Sequence, residues 1–592
     1  MGIGMKGVPL RYPYHLYPKK NKSVSGFSCL QTYYTRRKHM DNLKRVIIPA
    51  AKIVPAELQK LGKLPGIIYP INQKIAFDYL YEEYKEYCTS MDIICFEQAG
   101  KVQRRLNPYL SEQVRIKILP ELGDLGQTIY FALGQIKESL IINFSDTIVM
   151  DNIAKIDGDA FFYQEDYMSD TWTYFDEQDG VITRIYDKKP AKTDKKKKLF
   201  VGVFQIEDPV YFKTCLEKAF QEVRPQMSTF YHALQIYSRQ HPMKAISTEN
   251  WFDIGHEDKY YNSKLEVRAR EFNHISIDKN RGILRKTSDD KDKFIGEIKW
   301  YLKLPSDVEY VRPRIFDYST SYVNPYVSME YYAYHTVHEL FLYGDLTLQQ
   351  WVDVFNRIRF VCDDFKRYTV KDGSIQHALE EMYLTKTLQR FERMKKENIF
   401  STFFEEPIEV NGEKYLPLND ISAVLEKVIP KMLYEVDTFN IIHGDLCFAN
   451  IMVDTNLSFI KVIDPRGKFG TYDIYGDFRY ELAKLFHSVD GKYDFIIKDL
   501  FDVNFDYKRA RIDYCIQDQK RDFDLYKVFI DTFKAEIGNS LKQIEMIEAL
   551  LFLSMIPLHS ESIKHQMVML GTGLEILNRV VNIQVEGENK DV

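Results

Sequence analysis

The sequence predicts two folded units in one chain, an α/β unit of the doubly wound kind followed by an α+β unit of two lobes. Three observations carry this. The 592 residues exceed what a single hydrophobic core holds, so two or three domains are expected. Short apolar runs alternate with helical stretches through the first half, the pattern of a sheet sandwiched between helices. Near residue 265 this alternation gives way to a hairpin, one helix and two strands, and after about Thr336 the chain reads as mostly helical.

The expected boundaries are a basic tail over 1–42, the α/β unit over 43–267, a small sheet-containing lobe over 268–335 and a helical lobe over 336–592. The first 40 residues hold no Asp or Glu but carry Lys6, Arg11, Lys19, Lys20, Lys22, Arg36, Arg37 and Lys38. This composition fits a disordered tail, or an upstream extension with the functional start at Met40. The competing reading is a transit peptide, while the apolar core of a secretory signal is missing. Arg45-Val46-Ile47-Ile48-Pro49-Ala50-Ala51 is an apolar run ending in small residues, read as a buried parallel strand that feeds a loop. Asp92 to Phe96 and Leu140 to Phe144 repeat the pattern, with helices expected over Ile75 to Tyr87 and Thr128 to Lys137. The polar stretch Lys188 to Lys198 reads as a solvated loop, and the alternation resumes at Leu199 to Phe204. Further on, Asn273 to Asp278 and Gly282 to Thr287 read as a β-hairpin turning at Lys279-Asn280-Arg281-Gly282. A helix over 290–302 and strands near Arg314 to Tyr318 and Tyr326 to Tyr331 complete the small lobe.

Composition narrows the function classes. Hydrophobic content of 45% and charged content of 28% are those of a globular protein in water. A net charge of -5 offers no basic excess for a nucleic-acid backbone. No run of 18 apolar residues exists to span a membrane. The seven cysteines are scattered without a C-x-x-C pair, which argues against a zinc site and a disulfide framework and favours a reducing cytoplasm. The expected partners are small molecules and nucleotides.

The sharpest signal is Ile441-Ile442-His443-Gly444-Asp445-Leu446-Cys447-Phe448-Ala449-Asn450-Ile451-Met452-Val453-Asp454, followed by Phe459-Ile460-Lys461-Val462-Ile463-Asp464-Pro465-Arg466-Gly467. Phosphoryl transfer from ATP needs a carboxylate at the attacking group and magnesium on hard oxygen ligands. Asp445 precedes Asn450 by five residues, and Asn450 precedes Asp464 by fourteen. This is the order of a kinase catalytic loop, a base Asp, then Asn, then a metal Asp on the next hairpin. A small sheet with one helix followed by a large helical lobe also describes a protein-kinase-like fold. Lys286 on the second hairpin strand and Glu297 eleven residues later would bind the ATP phosphates as a pair, with Lys291 and Lys293 competing for the lysine role. Met329-Glu330-Tyr331-Tyr332 suits a hinge whose backbone at Met329 and Tyr331 would meet adenine; an ordinary buried strand fits it equally. Cys447 stands beside Asp445 without a base at nucleophile spacing and reads as packing.

These strings resemble the aminoglycoside phosphotransferase and choline kinase family, in particular a branch found with capsular polysaccharide enzymes, as does Gly476-Asp477-Phe478-Arg479-Tyr480-Glu481-Leu482-Ala483-Lys484-Leu485. The resemblance covers roughly residues 270 to 585. It implies ATP and Mg2+ as cofactors, Asp445 as catalytic base, and Asn450 and Asp464 as metal ligands. No G-x-G-x-x-G loop is present. Asp477 is expected to be structural.

The first unit carries a second constellation. Val46 to Ala51, Leu122-Gly123-Asp124-Leu125-Gly126, Asn143-Phe144-Ser145-Asp146, Gly180 to Pro190 and Trp251-Phe252-Asp253-Ile254-Gly255 resemble, in order, the segments of sugar- and alcohol-phosphate nucleotidyltransferases. The resemblance implies Gly123 and Gly126 at the nucleotide, Lys189 at the substrate phosphate, Asp146 and Asp253 as metal ligands, and a second NTP, CTP or UTP. It also shows a departure. That family follows its first strand with a Gly-rich loop containing Arg, whose N–H groups cradle the triphosphate. Here the loop is Ala50-Ala51-Lys52-Ile53-Val54-Pro55, with Lys52 or Lys63 as the substitutes.

The leading expectation is a bifunctional enzyme. One unit would phosphorylate a small alcohol, amine or amide, and the other would nucleotidylylate the product into an NDP-activated group for a surface polysaccharide. One alternative is a kinase with a degenerate, ligand-sensing first unit. The other is a non-catalytic nucleotide-binding scaffold.

Overall fold

The computed structural model describes residues 43–585 except 73, 168–170, 190–194, 223–226, 258, 265–274, 279 and 520. The expected basic tail, Pro190, the hairpin's first residues Asn273 and His274, and Lys279 in its turn lie outside the described residues.

Lys44–Ala50 lies inside a nine-stranded sheet. It pairs in parallel with Cys88–Cys95 on one side and with Leu140–Asn143 on the other, and Val114–Ile118 joins Cys88–Cys95 in parallel. Alternate residues feed two separate apolar clusters. Val46, Ile48, Ile93 and Ile141 enter one, while Ile47, Ile94, Leu140 and Ile142 enter the other. A strand covered on both faces must be apolar throughout, which is why these runs show no polar alternation. The helix Ala76–Tyr84 packs into the first cluster and Leu125–Leu133 into the second.

Beyond Leu140–Asn143 the sheet becomes antiparallel. Lys197–Ile206 runs against that strand, and Ala160–Asp166, Tyr174–Gln178 and Val181–Tyr186 continue the antiparallel side. The doubly wound expectation therefore holds for the parallel half and is corrected for this one. Ala160–Asp166 and Tyr174–Gln178 are rich in polar residues toward their ends and carry no long apolar run. The helix expected over Thr128 to Lys137 starts and stops earlier, at Leu125–Leu133. Asp124 sets its start, accepting from the Gln127 N–H while the Gln127 side chain accepts from the Asp124 N–H, a closed capping box.

The second unit opens with a four-stranded antiparallel sheet, ordered Ile275–Asp278, Ile283–Lys286, Tyr326–Glu330, Ile315–Ser319. The helix Lys291–Lys303 follows the first pair, capped by Asp290, and buries Phe294, Glu297, Ile298, Trp300 and Tyr301. Long helices then dominate, among them Leu348–Lys366, Leu541–Met555 and Ile563–Val580. A further sheet of four short strands, Glu413–Tyr415, Ile408–Val410, Arg511–Ile516 and Phe501–Asp506, interrupts this region and was not expected from the sequence. Its strands come from distant parts of the chain, so no local hairpin pattern marks it as a whole. Among the described residues no helix is long and apolar enough to cross a membrane, and the six described cysteines are free thiols.

The two units meet along a defined seam. The Asp345 N–H donates to the Leu61 carbonyl at 2.7 Å, and Lys101 reaches the Asp345 carboxylate at 2.5 Å. Arg105 is buried with its guanidinium 5.7 Å from the Tyr343 ring centroid and 5.9 Å from that of Phe495. Gly62 has φ +109°, and a Cβ there would lie 2.3 Å from the Asp345 Cβ. Gly62→Ala is expected to open the seam and cost about 1–3 kcal/mol through backbone strain and overpacking. Differential scanning calorimetry checks this: the variant should unfold in separated transitions at a lower onset than the parent protein.

Candidate active site

Asp445, Asn450 and Asp464 come together on two loops. The Asn450 amide nitrogen donates to the Asp445 carbonyl at 2.9 Å and to its carboxylate at 3.1 Å. That turns the Asn450 carbonyl oxygen away from Asp445. The Ile451–Val453 and Ile460–Val462 strands pair antiparallel and carry the chain from Asn450 to Asp464. Asp464 stands at φ 57°, a left-handed conformation that a non-glycine residue adopts only under local constraint. Its N–H donates to the Tyr301 hydroxyl at 3.0 Å.

The loop before Asp445 is held from below. His443 is fully buried, and its Nε2 meets the Ile463 carbonyl at 3.0 Å. Glu481, also buried, accepts from the His443 N–H at 2.7 Å and from the Gly444 N–H at 2.9 Å. Burial pushes the Glu481 carboxyl up to about 7, and the two N–H groups oppose the shift. Lys484 pairs with Asp445 at 2.9 Å. Burial alone would raise the Asp445 carboxyl, but the charge and hydrogen bond of Lys484 overcome it, and it sits at about 2. Asp445 is therefore held as a carboxylate beside Lys484. Glu481 and Lys484 were not assigned roles from the sequence. Their signal was present: they stand three residues apart behind the Asp477 cap, so they share one helix face. Asp477 itself caps Phe478–Val489 and pairs with Arg479 at 2.7 Å and with the Tyr383 hydroxyl at 2.8 Å.

Lys286 closes the set. Its ammonium lies 2.8 and 3.0 Å from the two Glu297 oxygens and 2.5 Å from Asp464. Burial would lower the Lys286 pKa, and the two carboxylates reverse this and raise it. Among the competing lysines, Lys291 donates instead to the Val323 carbonyl. The helix bearing Glu297 approaches the Asp464 loop without side chains in between: Gly467, at φ +66°, faces Gly296 so closely that a Cβ would lie 2.2 Å from the Gly296 carbonyl carbon. Met329 is buried inside its strand, opposite Leu284 and Ile315. The Tyr331 N–H is committed to the Gly282 carbonyl at 2.8 Å, so it is not the donor an adenine would meet. Burial pushes the Cys447 thiol well up, which leaves it a poor nucleophile.

In the first unit, Asp146, Asp253, His256 and Lys188 line a cavity of about 670 Å³ together with Trp172, Tyr231 and Trp251. Asp253 accepts from or shares a proton with His256 at 2.9 Å. Burial, then the charge of Asp253, raise the Asp146 carboxyl to about 6. Gly255 makes room, since a Cβ there would lie 2.6 Å from an Asp146 carboxylate oxygen. Two carboxylates facing one cavity suit a divalent cation. Lys188, with φ 50°, lines this cavity, whereas its neighbour Lys189, expected at the phosphate, is exposed and is not part of the lining.

A second cavity of about 200 Å³ shares Leu125, Phe144 and Asp146 with the first and is lined by Ala51 to Pro55, Gly66, Gly123 and Asp124. Gly123 leaves room for the capping box, because its Cβ would lie 2.5 Å from the Gln127 side-chain oxygen. Gly126 does not line this cavity; it packs against Thr229, 2.1 Å from where its Cβ would be. The loop amides are partly spent. The Ile53 N–H donates to Glu97 at 2.8 Å and the Val54 N–H to the Leu64 carbonyl at 2.8 Å. They are not directed at a phosphate in this arrangement.

No family model matches the chain, and no curated protein matches it. Among solved structures, the chain is similar to a putative glucose-1-phosphate thymidylyltransferase from Bacillus anthracis, at 15% identity over 39% of this chain and 96% of that one, with a TM-score of 0.33. It is similar to a CTP:phosphocholine cytidylyltransferase from Streptococcus pneumoniae, at 14% identity over 38% and 99% of the two chains, TM-score 0.33. An inositol-1-phosphate CTP transferase from T. maritima gives 14% identity over 38% and 97%, TM-score 0.28.

Gly467→Ala is expected to push the Glu297 helix off the Asp464 loop. Denaturant titration should show a stability loss of about 1–3 kcal/mol. Gly412→Ala provides the control: it stands at φ +89° with nothing within 4 Å of the added Cβ. It should cost about 1 kcal/mol in the same titration, from backbone strain alone.

Proposed function

We propose that the second unit is an ATP-dependent phosphotransferase for a small-molecule acceptor, with a protein-kinase-like fold. The observation that carries this is the meeting of Lys286 with both Glu297 and Asp464, beside a loop that presents Asp445 and Asn450. Five residues from four separate segments converge on the parts that phosphoryl transfer needs. Asn450 and Asp464 offer hard oxygens, and the outward carbonyl of Asn450 and the half-exposed Asp464 carboxylate fit a magnesium ion. Bound magnesium would neutralise charge on the β- and γ-phosphates.

The residues of the chain then have separable tasks. Lys286 meets the nucleotide phosphates and is held in place by Glu297. Asp445 accepts a hydrogen bond from the acceptor hydroxyl and aims its oxygen at the γ-phosphorus. A new bond forms from that oxygen to the phosphorus, the bond to the β,γ-bridging oxygen breaks, and ADP leaves with the electron pair. The hydroxyl proton passes to the Asp445 carboxylate and on to solvent. A carboxylate of low basicity suits a transition state in which the proton moves late.

For the first unit we propose a nucleotidyltransferase acting on the phosphorylated product, with Asp146 and Asp253 as its metal ligands and Lys188 at the anionic substrate. The shared cavity supports this. A second reading, a unit that binds nucleotide or sugar phosphate without turning it over, is favoured by the commitment of the Ile53 and Val54 amides to Glu97 and Leu64.

Two measurements test these readings. ADP release from MgATP across choline, ethanolamine, glycerate, polyols, sugars and glutamine should depend on an acceptor, and Asp445→Asn should lower it about 100- to 10,000-fold. A wild-type protein that binds no MgATP would overturn the phosphotransferase reading. Once a product is in hand, pyrophosphate release from CTP or UTP should fall at least about 100-fold in Asp146→Asn and Asp253→Asn. If the wild type releases none, the ligand-binding reading stands in its place.

A further inference from the structure

Several buried or half-buried cations of the second unit are matched to carboxylates. Lys286 has two carboxylates, Lys484 has Asp445, and Arg479 has Asp477. Near Asp445 three further cations have no ion pair among the described residues. Lys386 is half-buried and makes no hydrogen bond or ion pair among the described residues, and Arg390 makes none either. The Arg466 guanidinium makes no ion pair among the described residues; it donates to the Tyr480 hydroxyl at 2.8 Å and lies 5.9 Å from that ring's centroid. Burial lowers the Lys386 pKa well below the usual lysine range, and Arg466, Lys484 and Arg390 push it further, with Asp445 as the opposing charge. The Asp445 carboxylate is already held by Lys484.

The placement is fixed by packing. Lys386 opens the helix Lys386–Lys395, directly after a π-helical turn over Glu380–Thr385 that continues Ile375–Leu379. Such turns disturb the regular ladder and are found often at functional sites. Tyr383, inside the turn, anchors it by donating to Asp477, and Ala378 packs onto Gly470 so closely that a Cβ on that glycine would lie 2.6 Å away. Arg390 follows Lys386 by four residues and shares its helix face. The Arg466 N–H donates to the His443 carbonyl at 3.0 Å, so Arg466 is tied to the loop that presents Asp445. A buried cation without a counter-charge is costly, and an anionic ligand supplies the missing partner.

We propose that the acceptor phosphorylated at Asp445 is an anion, carrying a phosphate or carboxylate held by Lys386, Arg390 and Arg466. This rests on the phosphotransferase reading. Lys286 and its carboxylates serve the nucleotide on the side of the small sheet. The three unmatched cations stand on the helical side and hold the acceptor's anionic end while its hydroxyl meets Asp445. The transfer is the one described above, from the γ-phosphorus to that hydroxyl oxygen, with ADP leaving. A purely cationic acceptor would face repulsion here.

The test separates this proposal from its parent reading. Inorganic phosphate binding is measured by calorimetry with the nucleotide site filled by a non-hydrolysable MgATP analogue, in wild type, in Lys386→Gln/Arg390→Gln and in Lys386→Arg. Phosphate should bind the wild type and Lys386→Arg, and about 10-fold or more weaker to the double variant. ADP release is then compared for glycerol, glycerate, glycerol 3-phosphate, ethanolamine and choline. The anionic members should lead, glycerate over glycerol 3-phosphate marking a carboxylate site and the reverse a phosphate site. The double variant should raise acceptor KM about 10-fold or more with MgATP affinity held. Equal phosphate binding in wild type and double variant, or a lead for the neutral or cationic acceptors, overturns the proposal. So does a loss confined to MgATP affinity, which would place the cations on the nucleotide. Absence of MgATP binding in the wild type fails the parent reading instead.

Discussion

One ammonium ties the second unit together. Lys286 reaches from the small sheet to Glu297 on its helix and to Asp464 on the loop beyond the Asp445 segment. Without that bridge, two carboxylates would face each other at close range inside a partly buried space. The bridge also fixes geometry. Asp464 stays in a left-handed conformation, its N–H on Tyr301, while Gly296 and Gly467 let the helix and loop backbones touch. Everything the loops present toward a ligand depends on this contact between two glycines and three charges.

The two units leave opposite charges unmet. In the first, Asp146 and Asp253 face a common cavity, where burial and the charge of Asp253 raise the Asp146 carboxyl, an arrangement that draws cations. In the second, Lys386, Arg390 and Arg466 gather without a carboxylate of their own, an arrangement that draws anions. If one unit's product is the other's substrate, both must accept the same anionic compound. On the proposed reading the first would meet it with a cation between carboxylates and with Lys188, the second with the cluster beside Asp445.

The legible parts of this protein were the local ones. The parallel strands announce themselves as unbroken apolar runs because both faces are covered, and the order Asp445, Asn450, Asp464 is visible because one hairpin spans it. Lys286 and Glu297 could be paired because a strand and the helix after it have few ways to meet. Lys386 escaped notice because it lies 59 residues before Asp445, on a helix whose rotation is set by packing onto Gly470 and Asp477 rather than by its own periodicity. Lys188 and Lys189 were confused for a similar reason: a positive φ at Lys188 decides which of two adjacent lysines enters the cavity lining, and residue type does not reveal it. Ala160–Asp166 and Tyr174–Gln178 were missed because polar residues toward their ends break the apolar run.

The π-helical turn over Glu380–Thr385 has a consequence for how such a protein changes its specificity. A π turn is one residue wider than an α turn, and an α-helix advances about 100° per residue. Deleting a single residue from that turn would restore a regular helix and swing Lys386 and Arg390 about a quarter turn away from Asp445, while Ala378 and Gly470 kept their contact. Asp445, Asn450 and Asp464 on the loops would be untouched. On the proposed reading, selectivity for the acceptor's charge would thus be carried by the length of one helical segment, and an insertion or deletion of one residue there would change it.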